Sequence, residues 1–114
     1  MLEFYQNEKY FFIVTEYLEG GELFDRIMDC NSFSEEMACN IMEQILSAVL
    51  YLHKHNFIHR DLKPENIIFE TKNPNSKIKV IDFGTSTYYE AGRKLKKKLG
   101  TVSKKFTNFE EKNT

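Results

Sequence analysis

The most regular pattern of apolar positions lies in the middle of the chain, where hydrophobic residues recur every three or four positions. The series consists of Met37, Ala38, Ile41, Met42, Ile45, Val49 and Leu52. This spacing places the apolar side chains on one face of an α-helix. Ser34 offers a side-chain oxygen to the first helical amides, and Glu35 and Glu36 suit the positive end of the helix dipole. We therefore predict one amphipathic helix that runs from Ser34 to about His55.

Two shorter runs, residues 66–70 and 78–82, are rich in β-branched residues and are separated by turn formers at 71–76. This pattern predicts an antiparallel hairpin. The hairpin would bring Asn66, at the start of its first strand, close to Asp82, at the end of its second. Gly84 is expected to supply the free φ with which the chain turns away afterwards.

A third apolar run, residues 11–17, also predicts a strand, and we expect its aromatic residues to lie in the core. These residues are Phe11, Phe12 and Tyr17.

The candidate chemistry lies between the long helix and the hairpin, in the sequence His-Arg-Asp-Leu-Lys-Pro-Glu-Asn of residues 59–66. Asp-Phe-Gly follows the hairpin at residues 82–84. Phosphoryl transfer requires that the attacking hydroxyl points at the phosphoryl group, that the developing negative charge is neutralised, and that the metal ions are held in place. Asp61 would accept the hydroxyl proton, and Lys63 is a mobile cation that can approach the transferred phosphate. Asn66 and Asp82 offer the hard oxygen ligands that Mg²⁺ prefers.

Both motifs resemble the catalytic loop and metal-binding triplet of eukaryotic-type serine/threonine protein kinases. Lys63 within D-L-K-P-E-N is typical of kinases with serine or threonine acceptors, and the resemblance implies that His59 packs on Phe83. The sequence of residues 20–27 resembles the calcium/calmodulin-dependent and calcium-dependent kinase group. The implied fold is α+β and protein-kinase-like. The chain would contain the hinge, the upper large-lobe helices, the catalytic loop and the metal-site hairpin.

The resemblance implies that ATP and Mg²⁺ are the cofactors and that a protein with a serine or threonine acceptor is the partner. Asp61, Lys63 and Asn66 would be catalytic, and Asn66 and Asp82 would hold the metal. The resemblance assigns six residues to the nucleotide site. Thr15 would lie beside the adenine, and the hinge backbone of Glu16 and Leu18 would hydrogen-bond the edge of the base. Glu22 would bind the ribose, Ile68 would form the floor of the site, and Asp82 would bind the metal.

The resemblance also sets an expected domain organisation. Residues 1–101 would be a partial kinase domain, from the hinge to the activation loop, and residues 102–114 a divergent, poorly ordered tail. The glycine-rich loop, the strand lysine with its helix glutamate, and the A-P-E motif of the family are not in this sequence. We therefore expect exposed apolar patches, a marginally folded chain and doubtful activity in isolation.

Three functions are consistent with these residues. The first is the catalytic segment of a protein serine/threonine kinase, and the second is a non-catalytic truncated kinase that acts as a binding module. The third is a small-molecule phosphotransferase of the aminoglycoside type, which shares a similar loop. Arg60, Lys63 and the Asp-Phe-Gly triplet favour a protein kinase over the third alternative.

Charge and composition indicate which further partners and locations are expected. The net charge of −1 argues against general polyanion binding, and we interpret the basic run of residues 93–98 as a solvated activation segment without a nucleic-acid role. No membrane-spanning run and no calcium-binding EF-hand motif occur, so a calcium sensor would have to lie outside this chain. Cys30 and Cys39 are expected to be reduced, and a cytoplasmic location is the default expectation.

Overall fold

The computed structural model describes residues 1–30, 32–90 and 92–95. Its helices and strands are, in chain order, β1 (Glu3–Gln6), β2 (Phe11–Val14), α1 (Leu23–Asp29), α2 (Glu35–Lys54), β3 (Phe57–Ile58), β4 (Ile67–Phe69), β5 (Ile78–Val80) and β6 (Thr87–Tyr88). Within the described residues, the strands form the two-stranded antiparallel sheets β1–β2, β3–β6 and β4–β5. This is the α+β arrangement that the sequence predicts. The expected tail, residues 102–114, lies outside the described residues.

The long helix α2 confirms the prediction from apolar periodicity. Ser34 is its N-cap, and the Ser34 hydroxyl oxygen accepts a hydrogen bond from the amide of Met37 at 3.2 Å. Glu35 and Glu36 occupy the first turn, where the unpaired amides favour negative charge. The helix ends at Lys54, one residue before the expected position.

The predicted hairpin is also present, formed by β4 and β5 with Ile67 opposite Val80 and Phe69 opposite Ile78. It carries half of a small buried core, which consists of Leu23, Ile41, Ile67 and Phe69. Phe69 is only 1% exposed. The amide of Ile78 donates to the side-chain oxygen of Gln44 at 3.1 Å, which attaches the hairpin to α2. Helix α2 and the hairpin therefore form the framework on which the other segments lie.

Residues 19–22, here called the connector segment, lie along the other edge of β4. The Gly20 amide donates to the Phe69 carbonyl at 3.0 Å, and the Phe69 amide donates to the Gly21 carbonyl at 3.0 Å. Glu22 forms an isolated β-bridge with Ile68. A Cβ atom on Gly20 would lie 2.5 Å from the Phe69 carbonyl oxygen. Only glycine permits this close approach of the two backbones.

The sheet of β1 and β2 differs from the sequence prediction. The strand ends at Val14, and every residue of both strands is exposed. Phe11, Phe12 and Tyr17 are 70%, 49% and 88% exposed, so the expectation that they lie in the core was wrong. The apolar run predicted the strand, but burial also requires a second layer, and none of the described elements covers this sheet.

The expectation of exposed apolar patches is confirmed on helix α2. Met42, Leu46 and Leu50 lie on a face of the helix that the small core does not cover, and all three are exposed. Such a continuous row is larger than the scattered apolar residues of an ordinary surface. Among the described helices, none is both long and apolar enough to cross a bilayer.

Candidate active site

The three predicted catalytic side chains converge in the loop between β3 and β4. The Lys63 ammonium lies 3.1 Å from the Asp61 carboxylate, whose side chain is 11% exposed. The Asn66 side-chain amide donates to the Asp61 carbonyl at 2.9 Å and to the Asp61 carboxylate at 3.4 Å. The Asp61 carboxylate is thus held between a cation and an amide donor.

A single 3₁₀ turn, Pro64–Asn66, gives the loop its shape. Lys63 has extended backbone angles, as the residue before a proline prefers, and the Asn66 amide donates to the Lys63 carbonyl at 2.9 Å. The turn folds Asn66 back towards Asp61 before β4 begins. No pattern in the sequence predicted this turn.

His59 connects the catalytic loop to the end of the hairpin. It is 2% exposed, and its Nδ1 accepts from the Asp61 amide at 3.2 Å. Its Nε2 therefore carries the proton and donates to the Ile81 carbonyl at 2.9 Å. The ring packs edge to face on Phe83 with centroids 4.9 Å apart. The expected packing role of His59 is confirmed.

The hairpin brings the two predicted metal ligands together. The Ile81 amide donates to the Asn66 carbonyl at 2.9 Å, so Asn66 lies opposite the residue that precedes Asp82. Because Nδ2 of Asn66 faces the oxygens of Asp61, its Oδ1 is the atom that can ligate a cation. Asn66 and Asp82 thus offer the hard oxygens that Mg²⁺ prefers. The described residues include no group of three or more His, Cys, Asp or Glu side chains that could hold a metal ion.

The sharp turn after the hairpin uses a different residue from the one predicted. Asp82 has a φ of 60°, whereas Gly84 is not among the glycines with positive φ. The Gly84 amide donates to Oδ1 of Asp82 at 3.3 Å. Aspartate tolerates the left-handed region because its short side chain can bond to nearby backbone. The expectation that Gly84 supplies this conformation was wrong.

Arg60 is a second left-handed residue of the site, with a φ of 69°, and Asn56 before β3 is a third, with a φ of 59°. The Arg60 guanidinium donates to the Thr85 carbonyl at 2.6 Å, and the Thr85 hydroxyl donates to the His59 carbonyl at 3.2 Å. These contacts hold the segment after Phe83 against the catalytic loop.

On the predicted nucleotide side, the β-bridge puts Glu22 directly beside Ile68. Glu22 is the N-cap residue of α1, but its side chain makes no capping hydrogen bond. Thr15 and Glu16 are exposed, and Leu18 is half-buried, in the segment without regular secondary structure between β2 and the connector segment. The structure therefore brings the predicted ribose ligand to the predicted floor, and leaves Thr15 at the surface.

Lys79 links the predicted hinge to the hairpin, a contact that the sequence did not indicate. Its ammonium lies 3.0 Å and 3.1 Å from the two carboxylate oxygens of Glu16, and 3.4 Å from a carboxylate oxygen of Glu70. Lys79 is paired with Ile68 across the hairpin. The hydrogen bonds to Glu16, followed by those to Glu70, raise the pKa of Lys79 above its ordinary value of 10.5.

We expect Lys79→Met to lower the stability of the chain slightly at neutral pH. Since the folded state raises the pKa of Lys79, its contribution is fully present below the unfolded pKa and is lost as the pH rises through the folded pKa. Urea denaturation of both chains at neutral pH and above the ordinary lysine pKa of 10.5 tests this. The difference should shrink at about 1 M salt, which screens exposed charges. Lys77→Met on the exposed neighbouring lysine is the control, and a pH-independent difference would contradict the assignment.

Comparison with known proteins gives a consistent result. The sequence matches the family model of the protein kinase domain over residues 1–104. It is 49% identical over 103 residues to calcium-dependent protein kinase 4 of Plasmodium falciparum, which covers 90% of this chain and 20% of that protein. It is 44% identical over 90 residues to the calcium/calmodulin-dependent protein kinase type I of Schizosaccharomyces pombe, which covers 79% of this chain and 27% of that protein.

A third relative, a probable myosin light chain kinase of Dictyostelium discoideum, is 42% identical over 102 residues, which are 89% of this chain and 26% of that protein. The chain therefore spans between about a fifth and about a quarter of the length of these relatives. The matched region includes both motifs and the hairpin that joins them. On this match and this site geometry, the chain belongs to the protein kinase family.

Proposed function

We propose that this chain is the catalytic segment of an ATP-dependent protein serine/threonine kinase. The observation that carries the proposal is the convergence of Asp61, Lys63 and Asn66, with Asp82 brought close by the hairpin register. A carboxylate, a cation and two oxygen ligands in one loop region match the requirements of phosphoryl transfer. Membership of the protein kinase family supports the same reaction class.

Each residue has a definite task in this proposal. Asp61 orients the acceptor hydroxyl and takes its proton, while Lys63 places positive charge beside the carboxylate and the transferred group. Oδ1 of Asn66 and the carboxylate of Asp82 would hold Mg²⁺. ATP with its magnesium supplies the phosphoryl group and the counter-charge. The backbone of Glu16 and Leu18, together with Glu22 and Ile68, would form part of the nucleotide site.

The acceptor is proposed to be serine or threonine of a protein because Lys63 lies in the sequence D-L-K-P-E-N, which is typical of such kinases. Similarity to a calcium-dependent and a calcium/calmodulin-dependent protein kinase supports a protein as the acceptor. Control by calcium would require a sensor outside the described residues.

The metal site gives a direct test by binding. Asp82→Asn should weaken the affinity of the chain for Mg·ATP by about tenfold, since it removes the only charged member of the proposed ligand pair. The affinity for adenosine, which carries no phosphate, should change little. Titration with a fluorescent ATP analogue, with and without Mg²⁺, measures both. Glu90→Gln, outside the proposed site, is the control, and equal affinities in the Asp82→Asn and control chains would contradict the metal assignment.

The alternatives are separated by activity. If the chain is the catalytic segment, it should transfer phosphate from ATP to serine or threonine of a generic basic peptide only slowly, because the glycine-rich loop and the strand lysine are not in this sequence. Mass spectrometry of the peptide detects the transfer. Binding of Mg·ATP without transfer, at any chain concentration, would favour the non-catalytic binding module. Transfer to an aminoglycoside and not to the peptide would overturn the protein-kinase assignment of the substrate.

A further inference from the structure

Arg26 on helix α1 contacts several other segments of the chain. Its guanidinium carbon lies 3.5 Å from the centroid of the Phe69 ring. Nη1 donates to the carbonyls of Asn73 at 3.2 Å and Pro74 at 3.5 Å. Nη2 donates to the carbonyls of Gly20 at 3.3 Å and Thr71 at 3.5 Å. One side chain therefore joins α1, the connector segment, β4 and the β4–β5 turn.

The chemistry of these contacts requires arginine. A guanidinium is planar, so it can stack on an aromatic face and at the same time direct donors in its plane towards several acceptors. The ring beneath it is almost fully buried, and the carbonyls around it belong to segments without regular secondary structure. Lysine has the charge but not the planar set of donors.

The position of Arg26 also matters for the proposed nucleotide site. Arg26 holds the Gly20 carbonyl, while the Gly20 amide is bonded to the Phe69 carbonyl at 3.0 Å. Two residues further on, Glu22 forms the bridge to Ile68. The connector segment is thus fixed at Gly20 from both sides, immediately before the predicted ribose ligand.

We propose that Arg26 is a positioning residue that fixes the connector segment against β4 and so sets Glu22 beside Ile68. This inference deepens the proposed function, on which its ribose-recognition part rests. The clamp itself is a property of the fold and can be measured without any nucleotide.

Hydrogen exchange of the whole chain tests the clamp. In Arg26→Met, which keeps an apolar stem over Phe69 and loses all donors, the amides of Glu19, Gly20 and Phe69 should exchange about tenfold faster. Amides in the middle of α2 should keep the wild-type rate. Arg93→Met is the matched control, because Arg93 is an exposed arginine whose ion pair with Glu90 is local. Unchanged rates at the three amides, or equal acceleration throughout α2, would overturn the proposal.

Arg26→Lys provides a second, milder variant in case the methionine chain does not fold. It retains the cation and should accelerate the same three amides by only about threefold. A lysine chain that protects them as well as arginine does would overturn the requirement for the planar donor set.

The link between Arg26 and ribose recognition is tested by comparing the affinities for ATP and for its dideoxy analogue, which lacks both ribose hydroxyls. The wild-type chain should prefer ATP by about tenfold, as expected for a hydrogen bond to a charged carboxylate. Arg26→Met should reduce this preference to less than about threefold, with little change in affinity for the analogue. Accelerated exchange with an unchanged ribose preference would overturn the link to Glu22. If the wild-type chain binds no nucleotide, the proposed function is contradicted. The exchange data would still show whether Arg26 fixes the connector segment.

Discussion

Asp61→Asn should lower the turnover of peptide phosphorylation by about 10²–10⁴-fold, the usual contribution of a positioned general base. Asparagine preserves the size of the side chain, but it cannot take the hydroxyl proton and it removes the ion pair with Lys63. The affinity for Mg·ATP should change by less than about threefold, because Asp61 is not one of the proposed metal ligands. Turnover and nucleotide affinity are measured separately, by peptide phosphorylation and by equilibrium titration.

Asp29→Asn, at the exposed end of α1, is the matched control for this substitution and should retain full turnover. The interpretation of Asp61 as the base would be overturned by a turnover equal to that of the control. A parallel loss of turnover and of Mg·ATP affinity would instead assign Asp61 to nucleotide binding.

Phe69→Ala should cost about 3–5 kcal/mol of folding stability, the usual range for truncating a fully buried phenylalanine. Phe69 is the most buried large side chain among the described residues, and it also forms the surface on which Arg26 stacks. Native proteins have a total stability of only about 5–15 kcal/mol, so this change should remove a large part of the folding stability. Urea denaturation followed by circular dichroism measures the difference.

Phe12→Ala is the matched control for Phe69, because it removes the same atoms from a side chain that is about half exposed on β2. Its cost should remain below about 1 kcal/mol, as for most surface substitutions. Equal losses of stability in the two variants would mean that the small cluster around Phe69 is not the core of the folded chain.

Sequence patterns predicted the elements whose signals are local. Helix α2 has apolar periodicity together with a capping serine, and the hairpin has two β-rich runs around a cluster of turn formers. The catalytic loop could be recognised because its residue types and spacing are set by one reaction. Asp61, Lys63 and Asn66 lie within six residues of the sequence, so a single turn can bring all three side chains together.

Features that depend on distant segments could not be predicted. Arg26 lies 47 residues from Asn73, and Lys79 lies 63 residues from Glu16, so no local pattern indicates either contact. The burial of Phe11 was predicted wrongly because an apolar run does not reveal whether a second layer covers the strand. The left-handed residue was misassigned to Gly84 because aspartate can adopt the same backbone angles when its side chain bonds locally.

Three non-glycine residues with left-handed backbone angles, Asn56, Arg60 and Asp82, border the catalytic loop on both sides of the site. Each such conformation is disfavoured in a free peptide, with a cost on the order of 1–3 kcal/mol. The surrounding hairpin and helix must supply that energy together, because the loop has no intrinsic preference for its shape. A short synthetic peptide spanning residues 56–84 should therefore be catalytically inert, and the chemistry of this segment is inseparable from the cooperative folding of its scaffold.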